Sequence, residues 1–246
     1  MRLALATMVM CAGCDALFNL DHVQGPATDA RGDGSIDAMV DAPERSHTFV
    51  QATSTTSTTS LAVFKLYSFA QTAGNLNVVF IGWTSSGSQV MSVTDTAGNI
   101  YTAATGQPYG GRLGQVVYYA PNIKGGTNTV TVQFNQSTTG IDVRLLEYSG
   151  VSTTDPLDAT AQGVSTGMLA TTGTFNTTAA HTIVIAGFFM SGIATGAGSG
   201  CTQRIITGDG NLVEDFEKFT AGPSEATAPQ NQNGAYIGQA VSFSAP

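Results

Sequence analysis

The sequence predicts an all-β protein, an antiparallel β-sandwich of jelly-roll type. Short runs rich in Val, Ile, Phe, Tyr and Thr recur along it, the residues that suit a pleated, half-buried surface. Gly/Asn/Ser turns break those runs at intervals of roughly 8 to 15 residues, the spacing of a sandwich or barrel. No stretch carries the periodicity of an amphipathic helix.

Taken in order, "TSTTSTTS" (Thr53–Ser60) is polar and repetitive, and reads either as an exposed strand or as a loop that accepts O-linked sugar. From Leu61 the strand runs are "LAVFKLYSF", "NLNVVFIGW", "QVMSVT", "NIYTAA", "GQVVYYA", "NTVTVQF" and "IDVRLLEYS". They continue with "GTFNT", "HTIVIAGFFM", "TQRIIT", "LVEDFEKF" and "AYIGQAVSF". "NVVFIGW" and "TIVIAGFFM" are continuously apolar, which predicts central strands covered on both faces. "TVTVQF" and "DVRLLEY" alternate, as strands with one wet face do. A faint internal repeat sets "NVVFIGW…SVTDTAGNIY" against "TIVIAGF…RIITGDGNL", aligning Gly82 with Gly187 and Asn99 with Asn211. It favours one double sheet over two separate small domains.

Charge divides the chain. Of its 246 residues only 11% are charged, against roughly 25% in an average soluble protein, and the net charge is −8. Nucleic acid is excluded as an expected partner, because binding it demands a basic face. Between Cys14 and His47 stand seven acids (Asp15, Asp21, Asp29, Asp33, Asp37, Asp41, Glu44) and two bases (Arg31, Arg45). The acidity belongs mainly to this segment, which reads as a disordered spacer before a body that runs from Thr48 to Pro246.

Met1–Arg2 followed by the apolar Leu3–Met10 fits a secretory signal and is too short to span a bilayer, which takes about 20 apolar residues. Small residues Ala12 and Gly13 then precede Cys14. This resembles the lipobox of bacterial lipoproteins, which implies cleavage after residue 13, acylation of Cys14 and a lipid anchor in the cell envelope, at the outer membrane or cell surface. Cys11 stands where that family prefers Leu. With Cys11 removed and Cys14 acylated, Cys201 has no partner, so no disulfide framework supports the fold. "CDALFNLDHV" and the Asp/Ala/Pro-rich spacer after it are similar to predicted myxobacterial outer-membrane lipoproteins. Residues Thr48 to Phe243, through "VTDTAGNIY", "YYAPNIKGGTNTVTV", "LLEYSGV" and "DPLD", resemble an uncharacterised secreted β-sandwich module of bacterial surface proteins. The resemblance implies fold and location and carries no catalytic residues.

The spacer stretch "DARGDGSIDAMV" places Asp29, Asp33 and Asp37 at positions of a calcium loop. Arg31 and Val40 occupy two positions that need oxygen ligands, so a tether is the expected reading and a weak Ca²⁺ site the alternative. No cofactor is expected. For catalysis the body offers one histidine, His181, without a G-x-S-x-G elbow. Glu147, Glu214, Asp215 and Glu217 are the carboxylates a glycosidase pair would draw on, and acids on an outer strand read as a solvated face. A non-enzyme is expected.

A binding role needs aromatic faces for sugar C–H groups and polar partners for hydroxyls. The loop "TGQPYGGRLG" offers Tyr109 and Arg112 among glycines, and Asp95, Asn99, Tyr101, Asp209 and Asn211 would line a neighbouring rim. Turn chemistry alone also accounts for Asp95, Asn99, Asp209 and Asn211, and core packing accounts for Trp83. The expectation is a lipid-anchored surface protein that binds glycan or another surface protein. A structural scaffold is the alternative, and a glycoside hydrolase is a more distant one.

Overall fold

The computed structural model describes residues 47–246, which contain strands and no helix. The first half supplies β1 (Thr48–Ser57), β2 (Leu61–Tyr67), β3 (Leu76–Trp83), β4 (Val90–Asp95), β5 (Thr102–Ala103), β6 (Tyr109–Gly110), β7 (Leu113–Ala120), β8 (Thr129–Thr138) and β9 (Ile141–Ser149). The second half supplies β10 (Leu157–Thr171), β11 (Phe175–Thr177), β12 (Thr182–Met190), β13 (Thr202–Ile206), β14 (Leu212–Lys218), β15 (Gly222–Ser224) and β16 (Thr227–Ser244).

Pairing within each half is nested, as when one long hairpin wraps on itself. In the first half β1 pairs β9, β2 pairs β8 and β3 pairs β7; in the second, β10 pairs β16, β11 pairs β15 and β12 pairs β14. That is jelly-roll connectivity, realised twice. The first roll holds a large sheet ordered β1-β9-β3-β7-β5 and a small one ordered β2-β8-β4; the second holds β10-β16-β12-β14-β13 and β11-β15.

The four sheets stack as layers, with the two large sheets in the middle. Odd-numbered side chains of β3 (Val79, Ile81, Trp83) meet Phe64, Leu66, Val130, Val132 and Phe134 of the small sheet. Even-numbered ones (Leu76, Val78, Phe80) meet Ile183, Ile185, Val213, Val241 and Phe243 of the second roll. β12 and β3 are buried along their whole length, as their unbroken apolar runs predict. Each such buried side chain contributes about 1.5–3 kcal/mol. β8 alternates between buried and wetter positions, as expected, and Thr53–Ser57 belongs to the edge strand β1.

The repeat in the sequence is a repeat in space, but it builds two rolls of two sheets each, not the one double sheet the sequence suggests. A Cβ on Gly82 would lie 2.4 Å from the Phe189 ring, and one on Gly187 would lie 2.2 Å from the Phe80 ring. Each roll thus presses a phenylalanine onto the other's glycine. Around this contact lie buried polar groups. Arg144 Nε sits 3.1 Å from Asp142 Oδ1, and its Nη atoms donate to the Phe188 and Leu212 carbonyls and to Gln115 Oε1. Gln115 Nε2 donates to the Gly187 carbonyl, and Asp142 Oδ2 accepts from Thr207 and Asn211.

These contacts correct several sequence readings. β9 has no wet face: Asp142, Arg144 and Glu147 are buried, Asp142 and Arg144 satisfying each other and the neighbouring roll while Glu147 accepts from Gln51, Thr72 and Asn75 of its own roll. β14 is not a solvated outer strand. It lies between β12 and β13, with Glu214 and Asp215 buried. The glycine alignment holds, but Asn99 precedes the edge strand β5 whereas Asn211 follows the edge strand β13, so the two are not equivalent. His47, read as the end of the spacer, is buried, with Nδ1 3.0 Å from Glu217 Oε2. Cys14, Asp29, Asp33 and Asp37 lie outside the described residues.

The long ribbon β10–β16 turns a corner where its register shifts between Gly167 and Leu169. Its far end folds back over the second sheet, bringing the Thr171 carbonyl to 2.4 Å from a Cβ on Gly163 and 2.6 Å from one on its cross-strand partner Gly238. Only glycine leaves room for a backbone to cross there.

Candidate functional site

A cleft of about 490 Å³ opens where three segments of the first roll and its exit converge. They are the turn Gly98–Thr102, the loop Pro121–Lys124 after β7, and Thr153–Pro156 leading into β10. Its volume falls within the range of small-ligand sites.

Asp95 builds the first wall. Its Oδ1 accepts from Asn99 N (2.9 Å), and its Oδ2 from Asn128 Nδ2 (2.6 Å), Asn99 Nδ2 (2.8 Å) and the Tyr101 hydroxyl (3.0 Å). Burial pushes this carboxyl up, but the donors from Asn128, Asn99 and Tyr101 outweigh it and hold it below the usual carboxylate range. Burial and the Asp95 charge push the Tyr101 phenol far up, so it remains a hydroxyl. Lys124 ties the second wall to the first, its N–H donating to Asn99 Oδ1 (2.9 Å) and its Nζ to the Gly98 carbonyl (3.3 Å).

The groups left to meet a ligand are others. Tyr119 packs its ring against Phe243 at 5.3 Å and 53°, while lining the cleft. Burial, with Asp155 nearby, raises its hydroxyl, which therefore stays a donor at neutral pH. Asn122 and Asp155 stand on opposite walls, both left-handed at φ 51° and 45°, both exposed, their side chains holding no hydrogen bond among the described residues. Asn and Asp tolerate that conformation better than other side chains. Ile100, Pro121 and Pro156 give the cleft its apolar floor and rim.

The residues predicted for binding separate into distinct places. Asp95, Asn99 and Tyr101 come together, but their polar atoms are committed to the wall. Tyr109 pairs with Gly114 on the side of the sheet where Trp83 is buried. Arg112 lines a second cleft. Asp209 is exposed in the turn before β14, while Asn211 is buried, its Nδ2 donating to Asp142 and its Oδ1 accepting from Met190 N (2.9 Å). Sequence reasoning missed Tyr119, Asn122 and Asp155. The Asn after Pro121 and the Asp before Pro156 are the only local signals, and they are turn signals.

The carboxylates considered for catalysis hold the fold together. Asp215 Oδ2 accepts from the Tyr148 hydroxyl (2.6 Å) and Arg204 Nε (2.7 Å). Glu147 accepts from Thr72 N (2.8 Å) and Asn75 Nδ2 (2.6 Å), and Glu217 holds His47. Glu214 accepts from Gly198 N (2.7 Å) in the glycine-rich loop, and burial raises its carboxyl. Burial, with Glu214 beside it, pushes the Cys201 thiol up to about 12, which leaves it un-ionised and unreactive. His181 is left-handed at φ 54° and packs edge-on against Phe219 at 6.0 Å. Comparison with models of protein families, with curated proteins and with solved structures finds no match.

Proposed function

We propose that the chain is a lipid-anchored surface protein of the bacterial cell envelope whose double jelly roll binds glycan without acting on it. The observation that carries the reading is the cleft between Asn122 and Asp155. Its free carboxylate, free amide and phenol can meet sugar hydroxyls, and its apolar rim can meet C–H faces. Asp155 is the one carboxylate among its lining residues, whereas hydrolysis of a glycosidic bond draws on two. The lipobox-like Ala12-Gly13-Cys14 supports the anchor, and an acidic spacer suits a domain held off a membrane.

A scaffolding or adhesive role is the second reading, favoured by the outer strand β10. Over its fifteen residues it has no proline and one charge, Asp158, so it lacks two of the devices that discourage strand addition, although its register shifts bend the edge.

Retention of the full chain on immobilised polysaccharides, with and without EDTA, tests the glycan reading. Retention lost in both Tyr119→Ala and Asp155→Ala supports it. No retention on any matrix sinks it and moves the search to protein partners. Cys14→Ser tests the anchor, which predicts release of the protein from the membrane fraction.

A further inference from the structure

A second cleft, of about 390 Å³, lies at the seam between the rolls, lined by Thr84, Gly111, Arg112, Leu113 and Thr139 of the first and Met190 and Ser191 of the second. Its chemistry differs from that of the first cleft. No carboxylate lines it, although the chain as a whole carries a net charge of −8. Of the three described arginines, Arg144 faces Asp142 and Arg204 faces Asp215, while Arg112 has no carboxylate partner among the described residues.

The backbone holds Arg112 in place at a cost. β6 and β7 pair Gly110 with Leu113, so Gly111 and Arg112 are the two central residues of a tight hairpin turn, at φ 58° and 83°. Both values are those of a type I′ turn, which strongly prefers Gly or Asn at these positions. A bulky side chain at positive φ is strained, and such strain persists only where the surrounding structure over-determines it. Here it does: the preceding strand is fixed by Gly110 against Val164, and the following Leu113 is buried with Phe189 and Ile237. The turn therefore projects a guanidinium from the seam. Beside it, Ser191 holds an exposed hydroxyl with no hydrogen bond among the described residues.

We propose that this second cleft, at the opposite end of β7 from the first, is a carboxylate-binding site of its own, and that the saccharide it takes is acidic, of the uronate class. The planar guanidinium of Arg112 takes the carboxylate through two parallel hydrogen bonds, and Ser191 meets an adjacent sugar hydroxyl. The proposal rests on the glycan reading but not on the first cleft's residues.

Calorimetric titration of the full chain with uronate oligomers (galacturonate and mannuronate) and with neutral glucan oligomers tests it. Uronate binds at least about tenfold more tightly than glucan at low salt, and the preference shrinks as salt is raised. Arg112→Gly abolishes the preference and, by relieving the turn, raises the melting temperature by about 2–4 °C. That combination separates a ligand contact from a structural role. Arg112→Lys retains only part of the preference. Equal binding of uronate and glucan, or an Arg112→Gly variant that keeps the preference, overturns the site while the glycan reading stands. Binding of neither oligomer overturns both.

Discussion

Phe80 fills the space where Gly187 has no side chain, and Phe189 does the same to Gly82, so the rolls lock through two reciprocal knobs. Gly187 is not a turn glycine; it sits in the middle of a fully buried strand because an aromatic ring needs the volume. Gly187→Ala overpacks this contact and destabilises the protein by about 1–3 kcal/mol. Pairing it with Phe80→Leu recovers part of the loss, because the two positions compete for one space. Urea unfolding midpoints of the two single variants and the double variant check this; strict additivity would remove the contact from the account.

Beside that lock, Arg144 and Asp142 form an ion pair with both side chains fully buried. Removing one member strands a charge in a dry interface. Arg144→Met costs about 3–5 kcal/mol, whereas joining it to Asp142→Asn costs less than the sum of the two. The carbonyls of Phe188 and Leu212 lose their donor in either case, so the double variant does not return fully to the parent stability. A double-mutant cycle by denaturant titration gives the coupling.

Much of this fold can be read in the residues. β3 and β12 announce themselves as unbroken apolar runs, and the matched Gly82 and Gly187 mark a true duplication. β10 stays hidden, because Gly163, Gly167 and a string of Ala, Ser and Thr give it no apolar face, and its shape comes from Thr171 folding back over it. The burial of β9 is equally hidden, since Asp142, Arg144 and Glu147 look wet until their partners from distant segments are known. The same distinction governs the cleft. Asp95, Asn99 and Tyr101 lie within one turn and are legible as a group. Tyr119, Asn122 and Asp155 meet only when the chain's exit toward the second roll crosses the end of β7.

Cys201 sits beside Glu214 with its thiol pushed up to about 12 by burial and by that carboxylate. Thiolate is the reactive form, so at pH 8 this cysteine stays silent toward a disulfide reagent in the native protein. The full chain and its Cys201→Ser variant give equal rapid labelling when folded and differ by one thiol in denaturant. A rapid native difference would place Cys201 in a more polar site than the one described.

Glu214 and Asp95 bend the pH dependence of stability in opposite directions. Burial raises the Glu214 carboxyl above its ordinary value of 4.5, and the Asp215 charge adds to the rise, while Gly198 and Cys201 oppose it. The folded state therefore favours its protonated form. Its contribution is full below the ordinary glutamate value and is lost as pH rises from there through the raised folded value. Asp95, held below its ordinary value of 3.8 by donors that outweigh burial, contributes stability above that value and loses it as pH falls through the lowered one. Glu214→Gln removes the first effect alone. Measured by urea midpoint from pH 3 to 8, the variant gains on the parent as pH rises past about 4.5 and holds that gain at neutral pH. A difference independent of pH across that window would mean that Glu214 is as well solvated folded as unfolded, and the buried contact with Gly198 would have to be given up.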